Sequence, residues 1–366
     1  MKPLPDWDRL SFSLTETDWI YAAHGDTRRT PVWDTGEHVP FCDIPTSPAS
    51  PALSYGLGIF EGLKAQRTAD GRILLFRVDR NAERFRRSAE RLTLAPFPAQ
   101  QFIDACVEVV RRNARFVPPA DKGSFYLRPV EWAAEPRLGL GPVQGFSVVI
   151  YGSPVGGYFG AGSAPGLRLL VKEQGRVAPG GTGWAKAAGN YAGGILVADQ
   201  AKKQGFNDVL YLDARHVRFV TETSGSNVFA VRKDGVLVTP PLDDQILPGV
   251  TRDSTIHAAR HLGISVEERP LPIDEVLEDC AGLFCTGTAW TLARVHEITH
   301  RDRAFVFPDD SVRARLFEVV RGIQTGARED PWGWTREVPA SGRGRRARSL
   351  RARRPRRATG GPGTPR

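Results

Sequence analysis

The chain holds eight lysines, and Lys186 stands apart from the others. It lies in APGGTGWAKAAGNYAGG, where glycine and alanine surround it. Small neighbours let a flat ring approach the backbone closely. An amine in such a setting can bond covalently to an aldehyde once it sheds its proton. Local composition alone fits an exposed loop lysine equally well. Two other segments suit an anion. In LPGVTR, Leu247 to Arg252, a tight turn opens into a helix. The N–H groups of Val250 and Thr251 then lack helical partners and can face a phosphate. An ordinary capped helix has the same local pattern. CTGTA, Cys285 to Ala289, sets glycine among hydroxyls after a short apolar run. An amine for an aldehyde, donors for a phosphate and a carboxylate for a ring nitrogen are the needs of one type of cofactor.

The elements that must position these groups show in the periodicity. ILLFR, Ile73 to Arg77, reads as a strand. Asp79 to Leu92 reads as an amphipathic helix, with Ala82, Phe85, Ala89 and Leu92 spaced 3, 4 and 3 apart. A second helix is expected near Phe102 to Asn113, and a buried strand at Phe146 to Tyr151. GSPVGGYFGAGSAPG, Gly152 to Gly166, reads as an irregular interdomain connection. Beyond it, strands at Asp208 to Leu212, Asn227 to Val231, Val236 to Val238 and Ile264 to Arg269 alternate with short helices. The helix Thr251 to Leu262 is expected to stop at Gly263, a left-handed cap position. The division is then a smaller N-terminal domain over 1–151, a linker over 152–166, a larger domain over 167–339 and a tail over 340–366. The tail has little to bury and is expected to lack regular structure.

The ordered segments resemble the branched-chain amino acid aminotransferases, members of the fold type IV pyridoxal-phosphate enzymes. SYGLGIFEGLKAQR, LLFRVDRNAERFRRSAERL, FYLRPV, GSPVGGYF, APGGTGWAKAAGNYA, GFNDVLYLD, TETSGSNVF, ILPGVTRDS and FCTGTA carry the resemblance, in family order, between about Trp7 and Val338. It implies an α/β (α+β) fold with a smaller N-terminal α/β domain and a larger, barrel-like C-terminal one. It also implies pyridoxal 5'-phosphate as cofactor, and a homodimer. The activity implied is exchange of an amino group between a branched-chain or related hydrophobic L-amino acid and 2-oxoglutarate. Lys186 matches the Schiff-base lysine, and Tyr191 the tyrosine beside the ring oxygen. Glu222 matches the carboxylate facing the ring nitrogen. Arg84, Val250, Thr251 and Thr288 match the phosphate contacts. Phe60, Gly62, Lys64, Tyr126 and Arg128 match positions that shape substrate binding, and Ala289 a backbone donor to the substrate carboxylate. Tyr55 matches a residue lent across the dimer interface.

Some residues depart from the pattern. Trp184 and Trp290 stand where small or aliphatic residues are common, and the TSGS stretch, Thr223 to Ser226, differs too. The cysteine pair of some members is replaced by Trp290 and Ala293. Related alternatives are an enzyme for aromatic or D-amino donors and an aminodeoxychorismate-type lyase. Such chains lack most of the first forty residues and the Tyr126-x-Arg128 pairing.

Composition narrows the remaining classes. The net charge of +9 tempts a nucleic-acid reading, but ten arginines and no acid lie between Ser341 and Arg366. Without those ten the charge is −1, so the body is no basic binder and only the tail could meet an anionic surface. Apolar runs are too short for a membrane span. The first twenty residues lack a basic n-region and an apolar h-region, which places the protein in the cytoplasm. Cys42, Cys106, Cys280 and Cys285 form no C-x-x-C and read as reduced and buried. His257 and His261 are four apart on one helix, but HAARH lacks the glutamate of a zinc motif, so no metal is expected.

Overall fold

The computed structural model describes residues 1–157 and 166–340. The expected tail thus lies outside the described residues from 341 on. An antiparallel sheet and a mixed sheet form the frame. The first contains β1 (Trp19–Asp26), β2 (Glu37–Pro40), β3 (Gly58–Phe60), β4 (Leu63–Arg67), β5 (Ile73–Phe76), β6 (Ser124–Ala133) and β7 (Gly145–Val155). Helices α1 (Pro51–Tyr55), α2 (Val78–Arg91) and α3 (Ala99–Arg112) accompany it. Its core gathers Leu75, Phe85, Phe102, Phe125 and Ile150 between the sheet and α2 and α3.

α2 buries two kinds of side chain. Val78, Ala82, Phe85 and Ala89 enter the core at helical spacing, as the sequence implies. Asn81, Arg84 and Ser88 are buried as well. Polar groups inside a protein require partners, so this second stripe is the first sign of a site.

The second sheet runs through β8 (Leu167–Lys172), β9 (Asp208–Leu212), β10 (Val220–Thr223), β11 (Asn227–Arg232), β12 (Leu237–Thr239), β13 (Val266–Glu268), β14 (Cys280–Gly287), β15 (Thr291–His300) and β16 (Arg303–Val306). Helices α4 (Gly189–Ala192), α5 (Ile195–Lys203), α6 (Val250–His261), α7 (Ile273–Asp279) and α8 (Ser311–Gln324) surround it. The order β10-β9-β8-β15-β14-β11 returns to β10 through one residue pair, Glu222 with Asn227. That pairing makes the sheet barrel-like, in keeping with the expected α/β class. α6 ends where expected, with Gly263 at φ 71°.

Two boundaries differ from the sequence reading. β7 continues through Val155, so Gly152 to Val155 are strand rather than linker. Pairing with β6 overrides the loop-like composition: Phe125 faces Pro154 and Ser124 faces Val155. Gly152 is required there, because a Cβ would lie 2.2 Å from the Phe125 ring. Pro154 is tolerated because the partner β1 stops at Ile150. The second difference is β17 (Thr335–Glu337), which returns to the first sheet beside β5. The 167–339 segment is therefore not confined to the second sheet.

One buried group has no counterpart in the sequence reading. Glu131 on β6 lies in a row with Ala23, Val148 and Ile59, all buried. Neither carboxyl oxygen has a hydrogen-bond partner among the described residues. Burial pushes its pKa well above the ordinary 4.5. A pKa raised in the folded state favours folding in full below the unfolded value. That contribution is lost as pH rises towards the folded value. Glu131→Leu should therefore raise Tm by a few degrees at pH 8 and little at pH 4.5. Thermal melts across pH check this, and parallel curves for the two proteins would refute it.

Candidate active site

Lys186 lies between β8 and α4, with its backbone pinned to the first sheet. Its N–H donates to Ser88 Oγ at 2.9 Å, and its carbonyl accepts from the Phe60 N–H at 3.1 Å. Ala187 bridges Ile59. Asn190 braces the preceding turn: its Nδ2 donates to the carbonyls of Thr182, at 2.7 Å, and Ala185, at 3.0 Å. A glycine-rich segment gains a fixed shape only from such ties. The amine donates to the Tyr191 hydroxyl at 2.9 Å and lies 4.6 Å from the Phe60 ring centre.

Glu222 stands at the barrel closure and is 3% exposed. Asn227 Nδ2 donates to it at 3.2 Å, and the Leu247 N–H approaches at 3.4 Å. Arg176 Nη2 stands 2.5 Å from Oε1. Burial raises the pKa of Glu222, and Arg176 opposes the rise. Sequence reasoning missed Arg176. The available signal was chemical, since a buried carboxylate needs a cation, but no spacing connects residues 176 and 222.

Arg84 enters the same region from α2. Its Nε and Nη2 grip Glu61 at 2.6 and 2.8 Å, and Nη1 donates to the Pro248 carbonyl at 3.1 Å. Glu61 is fully buried and also accepts from Asn81 Nδ2 at 2.8 Å and the Gly62 N–H at 3.0 Å. Burial would raise its pKa, but Arg84, with Lys186 and the Asn81 amide, holds it below the ordinary value. Glu61 was also missed, although it stands inside the FEGLK stretch. Near Arg84, α6 begins at Val250, with Gly249 before it providing no side-chain cap. Arg84, Lys186, Tyr191, Glu222, Val250, Thr251 and Thr288 all line one cavity of about 450 Å³. In its wall the buried Thr286 hydroxyl has no partner among the described residues. Arginine, hydroxyls and a helix start at one end, an amine midway and a carboxylate elsewhere in the wall fit a phosphorylated pyridine aldehyde.

A wider cavity of about 1590 Å³, open to solvent, shares Lys186, Tyr191 and Thr288 with the first. Phe60, Gly62, Tyr126, Arg128 and Ala289 line it, as does Trp290. Arg128 Nη2 donates to the Tyr126 hydroxyl at 3.2 Å and its guanidinium lies 4.8 Å from the Phe60 ring centre. Gly62 cannot carry a side chain, since a Cβ would lie 1.9 Å from the Tyr126 oxygen.

The other residues singled out in the sequence take the following places. Lys64 is absent from the wall, because its amine is bound to the Ala289 carbonyl at 2.6 Å. Tyr55 is 47% exposed and lies outside both cavities, with its hydroxyl donating to the Leu138 carbonyl at 2.5 Å. Trp184 turns away towards Arg87, 5.6 Å from its ring. Of the two indoles only Trp290 meets the wider cavity. Cys106, Cys280 and Cys285 are buried, but Cys42 is exposed. His257 turns to the Asp253 carbonyl and His261 to the Trp332 ring.

Comparison with known proteins agrees with this geometry. A family profile described as amino-transferase class IV matches residues 58–298. The chain is 42% identical to "Branched-chain-amino-acid aminotransferase 5, chloroplastic" of Arabidopsis thaliana, over 90% of this chain and 79% of that one. It is 41% identical to "Branched-chain amino acid aminotransferase 1, mitochondrial" of Humulus lupulus, over 91% and 84%. The solved branched-chain amino acid aminotransferase of Escherichia coli superposes with TM-score 0.76 and 30% identity, over 88% and 100%. Another similar branched-chain enzyme has been solved with pyridoxamine 5'-phosphate. These relatives overturn the cytoplasmic expectation, since the names of the two plant enzymes point to organelles. A missing secretory signal speaks only to secretion. With a class IV profile across most of the two sheets and identities near 40% along nine-tenths of its length, the chain belongs to the branched-chain aminotransferase family of class IV, whose cofactor is pyridoxal phosphate.

Proposed function

We propose that the protein moves an amino group between a branched-chain L-amino acid and 2-oxoglutarate, with pyridoxal phosphate on Lys186. The observation that carries this is the Lys186 amine, held against Tyr191 where the two cavities meet. When bound, the cofactor ring supplies an electron sink for cleavage of the α C–H bond. The chain supplies the rest. Lys186 removes the α-proton and returns it one atom away. Tyr191 orients the lysine amine and would meet the ring oxygen. Glu222 would face the ring nitrogen, and Arg176 opposes the upward pull of burial on its pKa. Arg84 would hold the phosphate with the first-turn N–H groups of Val250 and Thr251 and the Thr288 hydroxyl. Glu61 fixes the plane of Arg84.

In the wider cavity Phe60 and Tyr126 offer aromatic faces to an aliphatic side chain. Arg128 offers a cation to the distal carboxylate of 2-oxoglutarate, and Ala289 a backbone donor. Two sheets with their helices act as the smaller and larger units. The working unit is a homodimer in which Tyr55 serves the partner's site. Support comes from the exposed apolar surface around it: Leu53, Tyr55, Leu138 and Leu140 are 66%, 47%, 89% and 82% exposed.

A coupled assay of leucine, isoleucine, valine, phenylalanine and D-alanine with 2-oxoglutarate tests the reading. No 2-oxo acid from any branched L-donor would overturn it. Lys186→Ala should lower turnover at least about a thousand-fold, and near-normal rates would sink the assignment. Arg176→Gln removes the cation opposing burial at Glu222, so the carboxyl takes up its proton at higher pH. The acid limb of the rate profile should move upward and turnover fall about ten-fold or more at neutral pH. An unmoved limb would show that Arg176 does not set the charge of Glu222. Trp290→Ala should raise kcat/KM for phenylalanine relative to valine about ten-fold, and Trp184→Ala should leave the ratio alone. Equal ratios in both variants would exclude Trp290 as a wall that selects the donor.

A further inference from the structure

Lys64 follows the Phe60–Gly62 corner on β4. Its neighbours Leu63 and Ala65 enter the core at 2% and 0% exposure. Lys64 and Gln66 alternate to the other face of the strand, and β6 places Tyr126 opposite Lys64. On that face the Lys64 amine donates to the Ala289 carbonyl at 2.6 Å. Gln66, two residues on, accepts from Arg321 Nη1 of α8 at 2.8 Å with its amide suitably turned. Two cations thus share one small region, with Arg128 beyond Tyr126 on β6. Among the described residues neither Lys64 nor Arg321 forms an ion pair with a carboxylate. Burial and the neighbouring Arg321 bring the Lys64 pKa down to about 7. Burial lowers that of Arg321 too, against a contrary pull from Asp121.

Positive charge collected in a poorly solvated place is costly unless an anion comes to it. The direct path from Lys64 is blocked by the peptide it binds. In a trans peptide the carbonyl and the N–H point opposite ways. A cation on the Ala289 carbonyl therefore polarises a unit whose other end is the Trp290 N–H. Ala289 and Trp290 both line the wider cavity. Thr288 makes a second tie from the same turn, its Oγ1 donating to the Gly62 carbonyl at 3.0 Å.

We propose that Lys64, backed by Arg321, is a positioning residue that acts through the Ala289 carbonyl. It fixes the Thr288–Trp290 turn and makes it an anion-accepting wall for the α-carboxylate of the substrate, which Lys64 itself does not touch. The inference rests on the aminotransferase reading of the site.

The probe is 4-methylvalerate, a branched carboxylate with no amino group, titrated into the holoenzyme between pH 6 and 9. Wild-type protein should bind it more weakly as pH passes about 7, because Lys64 then loses its charge. Lys64→Met should bind it about 10- to 100-fold more weakly at pH 6, the range for losing a charge-assisted hydrogen bond. Its KM for leucine should rise while kcat changes only a few-fold. Lys64→Arg should restore binding to within a few-fold of wild type and hold it through pH 9. The three proteins differ only at residue 64, so the differences report on that residue. Equal affinities in wild type and Lys64→Met would overturn the proposal, as would equal losses in the Met and Arg variants. If the Met variant does not fold, an Arg variant with the wild-type pH profile overturns it alone. Failure of the wild type to transaminate leucine would instead sink the functional reading.

Discussion

A carboxylate taken out of water and set beside a cation is the constraint around which this site is built. Glu222 and Glu61 are both removed from water, at 3% and 0% exposure. Each would drift towards its neutral form unless a cation stood beside it. Arg176 answers the first and Arg84 the second. The two pairs place demands on the whole frame. Arg84 needs α2 packed against the first sheet. Glu222 needs the barrel closed at Asn227, whose amide also donates to the Leu247 carbonyl at 2.9 Å. The arginines thus join chemistry to folding, since a cavity that disperses either pair would lose the charge its function requires.

α2 shows how one element serves both ends of the site. Arg84 and Ser88 are one helical turn apart and lie on the same side. The first reaches the anion end of the cavity and the second holds the Lys186 backbone. The spacing between Arg84 and Lys186 is therefore gauged by a rigid helix rather than by the glycine-rich loop. That loop can be rich in small residues because its shape is imposed from outside, by Ser88, Phe60 and Asn190.

Much of this was legible in the sequence where one residue type can meet one need. Lys186 was legible because few lysines compete and its neighbours are small. Glu222, Val250 and Thr251 were legible through the order of motifs. α2 showed in its apolar period, but its polar stripe did not, since Asn81, Arg84 and Ser88 look like solvent-facing helix residues until something is packed over them. Glu61 and Arg176 were missed because their reason is a partner distant in the chain. Pairing rather than composition decided the rest. Gly152 to Val155 look like a loop and form a strand because β6 offers a free edge. Thr335 to Glu337 return to a sheet begun at Trp19, near the other end of the chain, which no local pattern conveys. Two indoles of equal promise took different sides: Trp184 packs by Arg87 and Trp290 lines the wider cavity.

The return of β17 has a consequence for inheritance. β5 lies between β4 and β17, and its four residues are all buried. A gene fragment ending after β16 would leave that strand as a bare apolar edge, the kind of surface that recruits foreign strands and precipitates. The two sheets are thus not separable modules. Recombination that moved the barrel alone, or left the first sheet without its last strand, would deliver a product the cell must discard. A fold whose end returns to its beginning is passed on whole.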